Sequence, residues 1–191
     1  MRRIVLVTLL GLSLVALAFR GRLQASVLGL AVGNHPLLGR PAPELPRGLP
    51  SLDGKDYRLG TLRGQVVLLH FWTFGCSNCK RMLPHFADWQ ERLSRRGLTV
   101  LGVHSPELAW EHERPRLAAF VKQHRIAWPV IVDDELAAWD YYHVEAWPTV
   151  VLIDRRGVVR AVHVGDDRSL DIETDLRRLL DQPGDSAGAA R

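Results

Sequence analysis

Phe71-Trp72-Thr73-Phe74-Gly75-Cys76-Ser77-Asn78-Cys79-Lys80 is the stretch that decides how this 191-residue chain folds. It follows the apolar run Val66-Val67-Leu68-Leu69 and runs into a helical pattern, so the cysteines stand at a strand-to-helix junction. They are the only two cysteines in the chain. A Cys-x-x-Cys pair at such a junction points to redox chemistry. A structural disulfide gains most from closing a longer loop. A structural zinc site needs four ligands, and no second Cys-x-x-Cys or His-x-x-x-His is present. His112, His124, His143 and His163 show no ligand spacing with one another, so no resident metal or cofactor is expected.

Downstream, Leu83, Phe86, Trp89 and Leu93 set the period of a helix over 77–95, with Pro84 inside it and Gly97 after its end. Strands are expected over 66–71, 98–103, 130–132, 149–153 and 158–164. Further helices are expected over 114–124, 135–142 and 170–180. The first strand is apolar almost throughout, which suits a strand covered on both faces. Upstream, Pro41, Pro43, Pro46 and Pro50 keep the chain extended. Asp53-Gly54 signals a hairpin turn with Tyr57-Arg58-Leu59 as the returning strand. The class is α/β: a mixed central sheet with helices on both faces and an N-terminal β-hairpin extension.

The first residues have the layout of an export leader. Met1-Arg2-Arg3 precedes an uncharged apolar stretch from Ile4 to Phe19, and Ala16-Leu17-Ala18 has the small-x-small form cut by signal peptidases. As a helix, Ile4–Phe19 would span about 24 Å, short of a hydrocarbon core of about 30 Å. An uncleaved anchor stays open if Arg20 and Arg22 snorkel. Either way the domain is exported, to the periplasm or another extracytoplasmic space, held at the inner membrane if residues 4–19 persist. The expected organisation is a leader or anchor over 1–19, a tether over 20–40, one domain over 41–181 and a disordered tail over 182–191. An oxidising compartment favours disulfides, and with no other cysteine to protect, this pair is free to cycle. Net charge is only +4, and no basic stripe suggests a nucleic acid partner.

Cys76 falls at the helix N-terminus, where free N–H groups and the positive dipole end stabilise a thiolate. Cys79 lies about one turn into the helix and should be more buried. Cys76 is therefore the expected attacking thiolate and Cys79 the resolving thiol. Lys80 and Arg81 add positive charge nearby or are ordinary surface charge.

These features together resemble the thioredoxin superfamily over residues 41–181. Cys-x-x-Cys after a Phe-Trp strand end, Pro84 five residues past Cys79, Trp147-Pro148-Thr149 before a strand and the Asp154-Arg155-Arg156-Gly157 turn all match its pattern. The leader, the insert from Val103 to Phe120 and the His104-Ser105-Pro106-Glu107 segment are similar to the exported TlpA/ResA/DipZ branch. The resemblance implies a monomeric thiol–disulfide oxidoreductase acting on protein thiols and disulfides. It further implies reductase function, electron supply from a membrane donor of the CcdA/DsbD type, and a link to cytochrome c maturation in several members. It also implies that Pro148 is cis and, with Trp147, borders the substrate site. Gly75 replaces the family's usual tryptophan before the first cysteine, which predicts a more open rim. His70 stands where thioredoxins carry a buried carboxylate, and either relays a proton for Cys79 or is held neutral by burial. Glu145, three residues before Pro148, and Glu107 with His104, after the second strand, are further candidates near the thiols.

Two other readings stay open. Thr73, three residues before Cys76, fits part of a Pro-x-x-x-Thr-x-x-Cys peroxiredoxin signature, although Leu69 replaces its proline. A copper(I)-binding module would use the two soft thiolates with a histidine.

Overall fold

A computed structural model describes residues 35–182. The expected leader over 1–19, most of the expected tether and residues 183–191 of the expected tail lie outside the described residues. Along the chain run β1 (Val66–Trp72), α1 (Ser77–Leu93), β2 (Leu98–His104), α2 (Arg114–Gln123), β3 (Val130–Val132), α3 (Ala137–Tyr141), β4 (Thr149–Ile153), β5 (Val159–Val164) and α4 (Ser169–Asp181). The five strands form one sheet in the order β3-β2-β1-β4-β5. β1 and β2 are parallel, as are β2 and β3, while β4 runs antiparallel to both β1 and β5. This is the thioredoxin-like arrangement expected from the sequence.

β1 lies at the centre and is buried at every position. Its side chains alternate faces, as a pleated strand requires. Val66, Leu68 and Trp72 pack with Met82, Phe86 and Trp89 of α1 and with Leu176 and Leu179 of α4. Val67, Leu69 and Phe71 pack on the opposite face with Ala138 of α3 and with Tyr142. Helix α1 continues through Pro84, and a short 3-10 turn, Ser94–Arg96, leads to Gly97 at φ 94°, a left-handed position that suits glycine.

The expected N-terminal hairpin does not form. Gly54 does take the turn conformation, at φ 73°. The returning segment instead enters a 3-10 turn, Leu59–Leu62. The Glu44 carboxylate accepts the N–H groups of Leu59 (2.7 Å) and Gly60 (2.9 Å), leaving them no role in a ladder. Tyr57 bends back to donate its hydroxyl to Asp53 (2.6 Å). Residues before the turn reach the sheet edges instead. Leu52 N–H donates to Val130 O, and Val132 N–H to Pro50 O, closing the free side of β3. Gly39 N–H donates to Val159 O, and Val159 N–H to Arg40 O, closing the free side of β5. One N-terminal segment thus covers part of both free edges of the sheet. Residues 35–40, expected as the end of a tether, pack onto the domain, with Leu37 in the core beneath β5.

Candidate active site

β1 ends at Trp72, and four residues later Cys76 is the N-cap of α1. The Cys76 N–H donates to Thr73 O (3.3 Å), and the first helical bond runs from Lys80 N–H to Cys76 O (3.2 Å). The Cys79 N–H donates to Cys76 Sγ (3.2 Å), the geometry that receives negative charge on that sulfur. Both cysteines are free thiols, Cys76 half-buried and Cys79 buried. Burial pushes the Cys79 thiol far up, and its hydrogen bond to Cys76 adds to that rise. One half-buried sulfur sits at a helix N-terminus, and the second is kept protonated behind it.

Trp147 and Pro148 lie at the same end of the sheet. β4 pairs with β1 so that Thr149 faces Phe71, which sets Pro148 level with the exit of β1 toward Cys76. The Trp147–Pro148 bond is cis. Trp147 Nε1–H donates to Ser105 O (2.9 Å), and its ring packs on Trp139 at 4.2 Å, so the indole fastens the start of β4 to the insert after β2.

Glu145 is exposed, and its charge acts on His35. Glu107 is exposed as well. Lys80 stands 5.8 Å from the centre of the Phe120 ring. Arg81 donates to Asn78 Oδ1 (2.6 Å) and pairs with Asp166. His70 is fully buried between Trp72 and Phe86, and neither of its ring nitrogens has a hydrogen-bond partner. A proton relay needs a hydrogen-bonded neighbour, and His70 has none. His104, paired with Trp72 across the β1–β2 ladder, is closer to the site. Its Nε2 lies 3.3 Å from Thr73 Oγ1, and its ring stacks on Phe74.

The carboxylate that does reach the cysteine loop is Glu111, which sequence reasoning missed. It is buried at the end of the insert and accepts N–H groups from Gly75 (2.8 Å), Glu107 (2.7 Å) and Leu108 (2.8 Å). Burial alone would raise its carboxyl, but the Thr73 hydroxyl and these backbone donors outweigh it and hold the group below its ordinary value. The Leu108 contact is the glutamate half of a capping box on the 3-10 turn Ala109–His112. That spacing was visible in the sequence, but Leu108 lacks the side-chain acceptor that would have completed the signal. Gly75 is explained by the same contact. A Cβ there would collide with the Glu111 carboxylate and lie 2.9 Å from the Trp110 ring. The rim beside Cys76 is therefore not more open, because Trp110 from the insert occupies it. Among the described residues no three His, Cys, Asp or Glu side chains are grouped as metal ligands, and no helix is long and apolar enough to cross a membrane.

The buried histidines set an acid limit. Burial lowers His70 to about 3 and His104 to about 4. Their folded values are depressed, so the unfolded chain takes up the protons first and stability falls as pH drops below about 6.5. Each contributes a slope approaching about 1.4 kcal/mol per pH unit in that window, above the range where carboxylates titrate. The urea midpoint should fall from pH 7 to pH 5, and His70→Leu should flatten the decline. An unchanged slope in that variant would remove His70 as a cause.

The model of the AhpC/TSA family matches residues 38–162. Protein DipZ of Mycobacterium tuberculosis is 38% identical over 132 residues, covering 68% of this chain and 19% of that protein. The chain thus spans about a fifth of the length of that relative. Thiol-disulfide oxidoreductase ResA of Geobacillus kaustophilus is 29% identical over 133 residues, covering 69% of this chain and 72% of that protein. A Chlorobium tepidum structure assigned as the thiol:disulfide interchange protein DsbE superposes with a TM-score of 0.68 at 26% identity, covering 78% of this chain and 99% of that one.

Proposed function

The chain belongs to the AhpC/TSA family, and from that premise we propose that it is a thiol–disulfide oxidoreductase working through Cys76 and Cys79. The observation that carries this reading is the asymmetry of the pair: an accessible sulfur capping α1 and receiving the Cys79 N–H, backed by a buried thiol held protonated. Cys76 attacks a partner disulfide and forms a mixed disulfide. Cys79 then gives up its proton and displaces the reduced partner thiol, leaving a Cys76–Cys79 disulfide. Trp147 and Pro148 border the substrate backbone at the same end of the sheet. The protein acts as a reductase on exported protein disulfides and receives its electrons from a membrane donor of the CcdA/DsbD type. The leader-like residues 1–19 support an extracytoplasmic place, and a contribution to cytochrome c maturation belongs to the same proposal.

A peroxide-reducing reading has less support. The Thr73 hydroxyl is engaged with Glu111 and lies beside His104, so it is not free to assist a peroxide at Cys76. The test of the reductase role is the reduction potential of the pair, titrated in a thiol buffer and followed by tryptophan fluorescence. A two-electron transition near the roughly −270 mV of thioredoxin is expected. A value near the roughly −120 mV of a strong oxidant would reverse the direction of electron flow.

A further inference from the structure

The insert between β2 and α2 builds a second wall of the site. Its 3-10 turn is latched to the cysteine loop by Glu111, whose carboxylate holds the Gly75 N–H at 2.8 Å and the Glu107 and Leu108 N–H groups at 2.7 and 2.8 Å. That latch fixes the residue before it. The Trp110 ring meets buried Phe74 edge-on at 5.1 Å and, beside the Glu111 carboxylate, borders the space where a Gly75 side chain would stand, one residue from Cys76. Trp110 nevertheless stays 38% exposed, and Leu108 beside it 47% exposed. Exposed large apolar side chains clustered at a reactive group mark a contact surface rather than a solvated one. Tryptophan is also the side chain that most often dominates binding energy once water is excluded around it.

Resting on the exchange reading above, we propose that Trp110 is a specificity-determining residue. It contacts the polypeptide that docks on Cys76 and selects cystines flanked by apolar side chains. The occupant is an extended peptide segment, because the cysteine it brings must reach Cys76 Sγ at the tip of α1, one residue from the Gly75 position that Trp110 lines. In the reaction the reduced Cys76 sulfur attacks one sulfur of the peptide disulfide and expels the other as a thiol. Cys79 then displaces the bound peptide sulfur, so two electrons and two protons pass from the protein dithiol to the peptide.

The test uses the reduced full-length chain and two synthetic disulfide-linked peptides, one with Leu and Phe beside each cysteine and one with Ser and Asp there. Wild type should favour the apolar peptide in kcat/KM. Trp110→Ala should lower that preference by about tenfold, mainly through KM, and Trp110→Phe should retain most of it. Leu170→Ala, at an 80% exposed apolar residue of α4, should leave the preference as in wild type. A preference unchanged in Trp110→Ala, or lost equally in Leu170→Ala, would overturn the proposal while leaving exchange intact. Failure of the wild type to reduce either peptide would instead overturn the exchange reading and the proposal with it.

Discussion

Cys76→Ser is expected to reduce disulfide exchange to the uncatalysed background. The nucleophile in exchange is a thiolate, and a serine hydroxyl does not ionise at neutral pH. The remaining thiol cannot take over. Cys79 is fully buried on the core-facing side of α1 with Met82 and Phe86, and burial keeps its thiol protonated. Its backbone N–H, which in the wild type donates to Cys76 Sγ, does nothing to activate Cys79 itself. The fold should be untouched, since serine also caps a helix N-terminus well. The check is a turbidity or fluorescence assay of disulfide reduction beside a circular dichroism spectrum. A variant that keeps its fold and still turns over would mean that Cys79 attacks, and the assignment of the two sulfurs would be wrong.

Glu111→Ala should have the largest effect on stability. It removes the acceptor for the Gly75, Glu107 and Leu108 N–H groups at once. A buried donor left without a partner costs about 1–3 kcal/mol, and water will reach those on the exposed side of the insert. A loss of about 3 kcal/mol is therefore expected, which for a domain of this size lowers Tm by about 10 °C. Glu111→Gln should be intermediate, because one amide oxygen still accepts while the NH2 group faces a donor. A thermal melt decides the matter. A Glu111→Ala Tm within a degree of wild type would mean that the insert is held by Trp110 packing on Phe74 and by the Trp147 bond to Ser105, not by the carboxylate.

The central part of this fold is legible because its signals are local. The apolar run into Cys76 marks a strand buried on both faces, the helix after it declares its period through Leu83, Phe86 and Trp89, and Trp147-Pro148 marks the start of β4. What sequence could not give depends on partners far away in the chain. Asp53-Gly54 turns as its composition demands, but the fate of the next residues is decided by Glu44, fifteen residues from Leu59. Residues 39–52 carry no strand pattern, because each end lends only isolated bonds to a sheet edge, Pro41 at Val158 and Ser51 at Ile131. Glu111 sits in a run with His112 and Glu113 that reads as a solvated loop. Only the folded chain brings it across 36 positions to Gly75. For the same reason Gly75, read alone, suggested an open rim.

The most direct test of the account is capture of the reaction halfway. Cys79→Ser keeps the attacking sulfur and removes the one that releases the partner. Mixed with a disulfide-bonded protein substrate and quenched in acid, it should accumulate a covalent adduct that dissolves in reductant and maps by mass spectrometry to Cys76. Full turnover with no adduct would contradict the two-cysteine mechanism.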